Sequence, residues 1–327
     1  MKIFFKVLII GLISSNYVFA QDFITEAKEN ELDKAKKTIT ARNVSGNTYI
    51  ITGEGGNIGF HVSENGILMV DNQFDDSTEK ILEEVKKISD KPITYLINTH
   101  HHGDHTGGNE NMAALGTKII AHENVRNNMV KRKGDGIPYS AVPVITFSEN
   151  MKLYFDSQEI FAFHVSNAHT NGDVVIYFPQ TNVMHTGDAF VNKTYPFIDI
   201  ESGGTLEGYM EGLDKMLMII NKTTQIIPGH GPLGTTLDII ATKNMLDAIS
   251  TKVKIEISKG KTEEEIVANE DITKYYDDQG YGNGFINSEK IRRTIYNEIV
   301  EGFDEKQKKL MELQKINSKR KQEDKKN

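Results

Sequence analysis

The sequence predicts a layered α/β fold that is followed by a C-terminal helical extension. Short runs of β-branched and aromatic residues alternate with turns rich in glycine and asparagine, a pattern that is typical of strands. Amphipathic segments lie between these runs, and such segments indicate helices that cover a sheet. After residue 235 the strand-like runs stop and long segments of helical composition follow.

The composition of the 327-residue chain excludes several classes of site. Apolar residues make up 38% of the chain and charged residues 26%, which is enough apolar material for a sizeable core. The formal net charge is −8, so the basic footprint of nucleic-acid-binding proteins is missing and no nucleic-acid partner is expected. The chain contains no cysteine, which excludes disulfides, thiolate metal ligands, iron–sulfur clusters and cysteine nucleophiles.

Residues 1–20 are predicted to be a signal peptide. Lys2 and Lys6 give it a basic start, and residues 7–13 form an apolar run of suitable length. Small or β-branched residues at the positions that signal peptidase reads predict cleavage after Ala20. An uncleaved anchor is the alternative, but the apolar run is short for a membrane span. We therefore expect a periplasmic or secreted protein with no stable membrane insertion.

Residues 21–235 are predicted to form the α/β domain, which begins with a polar, mildly helical segment over 21–42. The run at 93–98 is almost continuously apolar, as in a strand that is buried on both faces. The Asn65-Gly66 pair predicts a hairpin turn between two of the early strands. The predicted strands, in chain order, are 48–52, 57–62, 66–70, 93–98, 118–121, 151–155, 159–165, 174–178, 183–186 and 225–228.

The predicted helices fall between and after these strands. The segment 77–89 places Ile81, Leu82, Val85 and Ile88 on one face, and 206–220 is similarly amphipathic. The extension, residues 236–304, is interpreted as a helical appendage of the same domain, with its main helices at 236–258 and 288–302. The charged tail, residues 305–327, is expected to be a solvated end.

A cluster of histidines follows the predicted strand at 93–98. His100 and His102 lie two residues apart at the strand end, so their imidazoles are expected on the same side, whereas His101 is expected to point away. Asp104 and His105 turn back towards a second position. Neutral imidazole and carboxylate groups are zinc ligands, and iron and manganese accept the same donors.

Three further candidate ligands occur in turns that follow strand-like runs. His169 lies in the sequence NAHTNGD, Asp188 in HTGD and His230 in IPGHGP. Layered α/β proteins place functional groups in turns at strand ends. We therefore expect these three side chains to join the histidine cluster.

The order of these motifs (HxHxDH, a later histidine, a TGD turn and a PGHG turn) resembles the metallo-β-lactamase superfamily over about residues 45–235. The resemblance implies a four-layer αβ/βα sandwich with a two-metal cleft at one edge of the paired sheets. It implies a first zinc held by His100, His102 and His169. It implies a second zinc held by Asp104, His105 and His230, with Asp188 bridging the two ions, Asp104 as the catalytic residue and Asp71 as a structural aspartate.

The implied function is a secreted hydrolase that uses a hydroxide shared by two zinc ions to open a cyclic amide or ester, namely a β-lactam or a lactone. The expected partner is thus a small-molecule substrate. The chain departs from common lactamases because Val191 replaces their lysine and Lys193 is out of register. Two alternatives stay open: a thioester hydrolase of the glyoxalase II type, which also carries C-terminal helices, and a non-hydrolytic iron redox protein of the same fold.

The segment 190–199 is expected to border the cleft. Its pocket candidates are Phe190, Tyr195 and Phe197, for which packing in the core is an equally good explanation. Three other histidines, His61, His122 and His164, are expected to be packed or solvent-exposed and not catalytic. His185, three residues before Asp188, is a candidate to support that aspartate.

Overall fold

The computed structural model describes residues 38–131 and 137–302 of the chain. The predicted signal peptide and the charged tail lie outside these residues, as does most of the segment 21–42. None of the helices in the described ranges combines the length and apolar character that a membrane crossing requires.

The strands of the described residues form two sheets. The seven-stranded sheet follows chain order, antiparallel from the first to the fourth strand and parallel thereafter. Its strands are β1 (Thr40–Ser45), β2 (Thr48–Thr52), β3 (Ile58–Val62), β4 (Ile67–Val70), β5 (Ile93–Ile97), β6 (Lys118–His122) and β7 (Ile145–Phe147).

The five-stranded sheet is antiparallel except for its last pair, in which the strands run parallel. Its strands are β8 (Asn150–Phe155), β9 (Gln158–His164), β10 (Val174–Phe178), β11 (Val183–His185) and β12 (Gln225–Ile227). The α-helices up to residue 258 are α1 (Thr78–Lys86), α2 (Gly103–Thr106), α3 (Asn109–Ala114), α4 (Glu123–Lys131), α5 (Leu206–Ile219) and α6 (Thr236–Ser258).

Alternating side chains along the strands separate the apolar interior into layers. In β2, Ile50 belongs to the core between the two sheets, whereas its neighbour Ile51 packs with α1 on the outer face of the first sheet. In β9, Ala162 faces the central core, whereas Phe163 packs with α5 and α6 on the outer face of the second sheet. The order helix, sheet, sheet, helix confirms the predicted four-layer αβ/βα sandwich.

Two strands were not predicted, and both lie at edges of the first sheet. β1 replaces the end of the segment that was predicted to be helical, so that prediction is wrong for residues 40–42. Its sequence TARNVS is polar and mostly exposed or half-buried, so it lacks the alternation of a covered strand. β7 has only three residues, of which two are exposed. Each is held in the sheet by backbone hydrogen bonds to one neighbouring strand, β1 to β2 and β7 to β6.

The extension packs against the outer face of the second sheet. After α6 come α7 (Glu263–Val267), α8 (Lys274–Asp277) and a helix over residues 288–302, the last described residues. Buried residues of these helices, including Ile249, Ile266 and Ile295, belong to the same apolar cluster as Phe163 and Met184 of the sheet. The extension thus supplies part of the outer helical layer.

Asp277 links the extension to the segment that follows β11. Its Oδ1 accepts hydrogen bonds from the Tyr195 hydroxyl at 2.6 Å and the Ser288 hydroxyl at 2.6 Å, and its Oδ2 accepts one from the Thr273 hydroxyl at 2.8 Å. Burial would raise the pKa of Asp277, but these hydrogen bonds outweigh it and lower the pKa. The ionised carboxylate is therefore the form that stabilises this junction.

We expect Asp277→Ala to lower the free energy of unfolding at pH 7 by about 1–3 kcal/mol, because it leaves buried hydroxyl groups without their acceptor. Because the folded-state pKa is lowered, this stabilisation is present above about pH 4 and is lost as the pH falls through the folded-state pKa. Urea unfolding at pH 7 and at pH 3 measures both effects. Asp278→Ala is the control, since Asp278 pairs with Lys274 on the surface. An equal loss in both variants would contradict the role of Asp277.

Candidate metal centre

Seven of the predicted site residues meet at one edge of the two sheets. The first sheet contributes the segment 100–105, which follows β5. The second sheet contributes His169 after β9, Asp188 after β11 and His230 after β12. The cluster is therefore built from both halves of the sandwich, at the ends of four strands.

The first donor set contains three imidazoles. His102 Nδ1 lies 2.9 Å from His169 Nε2. The ring of His100 is centred 4.8 Å from that of His102 and 4.6 Å from that of His169. One ring nitrogen from each residue lies within 4.8 Å of the others, so the three could hold one metal ion.

The second donor set contains one carboxylate and two imidazoles. Asp104 Oδ2 lies 3.0 Å from His230 Nε2 and 3.5 Å from His105 Nε2. The two Nε2 atoms of His105 and His230 are 3.4 Å apart. These three residues also form a candidate metal-binding group.

The carboxylate of Asp188 lies between the two donor sets. Its Oδ1 is 3.2 Å from His105 Nε2 and 3.6 Å from His230 Nε2, on the side of the second set. Its Oδ2 is 3.7 Å from His169 Nε2, on the side of the first. One carboxylate is thus within reach of both sets.

The remaining ring nitrogens are held from outside the cluster, so the donor atoms point inward. Nδ1 of His105 contacts Asp71 at 2.7 Å, and Nδ1 of His169 donates to the Phe197 carbonyl at 2.7 Å. His100 Nδ1 lies 3.0 Å from the Thr99 hydroxyl, while its buried Nε2 has no hydrogen-bond partner in the described residues. A buried polar atom without a partner is costly, and a cation would satisfy it. The donors therefore fit a metal centre.

The electrostatics of the cluster favour neutral imidazoles at His100 and His169 and ionised carboxylates at Asp104 and Asp188. Burial, with the neighbouring imidazoles, lowers the pKa of His100 well below its usual value, and burial lowers the pKa of His169 to about 4. Burial would raise the pKa values of Asp104 and Asp188, but the surrounding histidines outweigh it and lower both. Metal ligands need these protonation states.

Asp71 contacts Thr99 and His105 beside the donors, as expected for a structural aspartate. Its Oδ1 accepts the backbone N–H of Thr99 at 2.8 Å and its Oδ2 accepts the Thr99 hydroxyl at 2.7 Å, in addition to the contact with His105. Asp71 itself adopts φ +61°, a left-handed conformation that few non-glycine residues adopt. This carboxylate orients the His105 ring.

His185 supports the turn that carries Asp188. Its Nδ1 accepts the backbone N–H of Gly187 at 3.2 Å, and its Nε2 donates to the Asn57 carbonyl at 3.0 Å. The PGHG turn packs directly on this turn, because a Cβ atom at Gly229 would lie 2.0 Å from Asp188 Oδ1. The position of Asp188 is therefore determined by backbone contacts on two sides.

Gly56 allows the turn before β3 to approach the metal centre. Its N–H donates to the Asp104 carbonyl at 3.0 Å, and a Cβ atom there would lie 2.1 Å from His105 Cε1. We expect Gly56→Ala to displace His105 and weaken metal binding at least tenfold. Metal titration of the purified variant measures this. Gly103→Ala is the matched control, since a Cβ atom there meets nothing within 4 Å. Equal metal affinity in both variants would contradict the prediction.

A family model described as the metallo-beta-lactamase superfamily matches residues 42–230, which include every residue of the cluster. The chain belongs to the metallo-beta-lactamase superfamily. The resemblance that the motif order predicted is thus confirmed at the level of the superfamily. This superfamily consists mostly of hydrolases, and the described residues hold candidate His/Asp metal-binding groups.

Curated members of the superfamily resemble the chain at low identity. The metallo-beta-lactamase type 2 of Bacillus cereus is 24% identical over 183 residues, which cover 55% of this chain and 69% of that protein. The metallo-beta-lactamase type 2 of Bacteroides fragilis is 23% identical over 195 residues, which cover 57% of this chain and 76% of that protein.

Solved superfamily structures share the fold. The metallo-beta-lactamase from Pontibacter korlensis superposes with a TM-score of 0.56 at 19% identity, covering 64% of this chain and 99% of that structure. The DIM-1 metallo-beta-lactamase superposes with a TM-score of 0.55 at 18% identity, covering 64% of this chain and 97% of that structure.

One carboxylate that contacts the cluster, that of Asp199, is not predicted from the sequence. Asp199 Oδ2 lies 2.9 Å from His102 Nε2 and so orients the ring whose Nδ1 faces the first donor set. Burial would raise the pKa of Asp199, but the hydrogen bonds with His102 and Ser202 outweigh it and lower the pKa. No motif marks this residue, because its role depends on a contact between positions 97 residues apart.

Of the three pocket candidates, the structure places only one at the cluster. The Phe197 ring stacks on His102 with centroids 6.1 Å apart. Phe190 is fully buried in the core, and Tyr195 is buried with its hydroxyl directed to Asp277, so core packing is the role that applies to both. The Tyr195 ring contacts Tyr281 of the extension, which the sequence could not position.

The other histidines and Lys193, which the sequence had singled out, belong to neither of the two donor sets around Asp188. His101 Nε2 is 3.4 Å from the Ser202 hydroxyl, although His101, His102 and Asp199 also form a compact donor group. Lys193 pairs with Asp238 at the start of α6. Three histidines pack inside the protein, as predicted: His61, His122 and His164.

Proposed function

We propose that this protein is an extracytoplasmic metal-dependent hydrolase that opens a cyclic amide or ester, a β-lactam or a lactone. The observation that carries the proposal is the carboxylate of Asp188 between two separate sets of inward-pointing donors. His100, His102 and His169 would hold one zinc ion. Asp104, His105 and His230 would hold the other, and Asp188 would contact both. Iron or manganese could occupy the same donors.

Bound divalent cations polarise a carbonyl group and lower the pKa of water. The side chains of the protein would orient the substrate and transfer the proton of the attacking water. Asp104 and His230 are the most accessible members of the cluster, with side chains 28% and 36% exposed, so we expect the substrate to approach from their side. The lowered pKa keeps Asp104 ionised at neutral pH, so its carboxylate would be free to accept the proton of the attacking water. The water oxygen would bond to the carbonyl carbon and the ring C–N or C–O bond would break. Asp104 would then return the proton to the leaving nitrogen or oxygen, which completes the ring-opened product.

The predicted signal peptide at residues 1–20 supports a site of action in the periplasm or outside the cell. Such a location disfavours the glyoxalase II type, whose thioester substrate is cytosolic. The helices that follow Thr236 nevertheless favour a thioester hydrolase as the second candidate, because such enzymes also carry C-terminal helices.

Hydrolysis assays with nitrocefin, N-acyl homoserine lactones and a thioester, each with and without chelator, test the proposal. We expect turnover of a β-lactam or lactone that chelator abolishes and added zinc restores. Elemental analysis of the same preparation measures the bound metal. Iron in place of zinc, together with no turnover of any substrate, would overturn the proposal in favour of a redox protein. Turnover of the thioester alone would favour the second candidate.

A further inference from the structure

The helical extension brings one exposed aromatic ring to the metal centre. Phe285 lies between α8 and the helix at 288–302, and 74% of its surface is exposed. Its ring nevertheless contacts Phe197, with centroids 5.5 Å apart and planes at 76°. An exposed phenylalanine that meets a second aromatic ring offers an apolar surface to a ligand.

Phe197 connects this ring to the donors of the first set. It stacks on His102 with an interplanar angle of 20°, and its centroid lies 5.5 Å from that of His169. Its carbonyl accepts the hydrogen bond that orients His169. Phe285 is therefore one aromatic ring away from two predicted metal ligands.

The loop that carries Phe285 is fixed to the segment that carries Phe197. The Tyr281 carbonyl accepts hydrogen bonds from the Tyr195 N–H at 3.4 Å and from the Thr194 hydroxyl at 3.4 Å. A Cβ atom at Gly284 would lie 2.2 Å from Thr194 Oγ1, so a larger residue there would displace the Thr194 side chain. The position of the loop is thus set by close contacts with residues beside the cleft.

Lys290 holds the Phe285 ring from the following helix. Its Nζ lies 4.8 Å from the ring centroid and donates to the Phe285 carbonyl at 3.3 Å. A cation at this distance from a ring is attracted to its face. The ring is therefore restrained although most of its surface is open to solvent.

We propose that Phe285 and Phe197 form a recognition surface for an apolar, preferably aromatic, group attached to the bond that is hydrolysed. This inference rests on the proposed hydrolytic function. It assigns to the extension a direct part in substrate selection. Phe285 would act on binding and would leave the metal ligands undisturbed.

Two β-lactams with the same ring system test the proposal: benzylpenicillin, which carries a phenylacetyl arm, and 6-aminopenicillanic acid, which lacks it. N-dodecanoyl and N-butanoyl homoserine lactone form the equivalent lactone pair. We expect Phe285→Ala to reduce the preference for the larger member, measured as the ratio of kcat/KM values, about tenfold, with unchanged metal content. Tyr275→Ala is the control, because Tyr275 is a 68% exposed ring of the extension that stacks on Tyr276 instead. An unchanged preference ratio in Phe285→Ala would overturn the proposal.

A binding measurement separates this proposal from the hydrolytic function. The chain contains no tryptophan, so Phe285→Trp and Tyr275→Trp each introduce a single fluorophore. We expect 8-anilinonaphthalene-1-sulfonate, an aromatic probe, to quench the tryptophan of Phe285→Trp, and Phe197→Ala in that background to reduce the quenching. Such a response without hydrolysis of any substrate would uphold the aromatic surface while the hydrolase proposal fails. Equal quenching in the two tryptophan variants would overturn the surface itself.

Discussion

Asp188→Asn is expected to bind its second metal equivalent about 10–100-fold more weakly than the parent protein, or worse. The carboxylate lies 3.2 Å from His105 and 3.7 Å from His169, so its negative charge would offset the repulsion between two cations if each donor set held one. An amide keeps the shape but removes the charge, and it is a poor bridging ligand. The first set, which consists of three imidazoles, should retain most of its metal.

The alternative role for Asp188 is to stabilise its turn, and in that role asparagine would serve nearly as well. Metal-to-protein stoichiometry under dilute zinc distinguishes the two roles. Asp214→Asn is a suitable control, because Asp214 pairs with Lys243 on the surface. If the Asp188→Asn protein still binds two equivalents, Asp188 is a turn residue and does not bridge.

His102→Ala is expected to abolish hydrolysis and to remove most of one metal equivalent while the fold persists. The side chain supplies the Nδ1 that lies 2.9 Å from His169 Nε2, and its neighbours Phe197 and Asp199 belong to another segment that the backbone holds independently. Elemental analysis, kinetic assays and circular dichroism of the same preparation measure the three effects.

His101→Ala is the matched control for this variant, since it removes an adjacent imidazole of the same loop. We expect it to keep its metal, because His101 Nε2 is directed to Ser202 and His101 belongs to neither of the two donor sets around Asp188. A His102→Ala protein with two metal equivalents and full rate would exclude His102 as a ligand. Loss of metal from His101→Ala would instead favour the donor group that contains Asp199.

The sequence was sufficient to predict the buried strands and the residues at their ends. Strands such as β4 and β10 are apolar because both faces are covered, so their patterns persist in the sequence. Edge strands such as β1 carry no such pattern, because one side or face remains in solvent. The site residues that motifs mark are those whose chemistry requires a particular side chain at a fixed spacing.

The residues that the sequence could not assign depend on contacts between distant segments. Asp199 acquires its role only because the fold brings it to His102. Phe190, Tyr195 and Phe197 have the same local character, yet the fold buries the first two in the core and leaves the third beside the donors. A pattern within one segment cannot distinguish an aromatic ring of the core from one of the cleft.

The donors of the candidate metal centre come from both sheets and span residues 100–230, so metal binding there would stabilise the whole sandwich. Cations held there would act as reversible cross-links between the two halves of a chain that has no disulfide. Each would join segments that are far apart in the unfolded chain, where closing such a long loop is entropically costly. A ligand that binds only the folded state stabilises it by about 1.4 kcal/mol for each tenfold rise in free ligand above its dissociation constant. The free metal concentration around the protein would then determine the free energy of unfolding of the sandwich, even when no substrate is present.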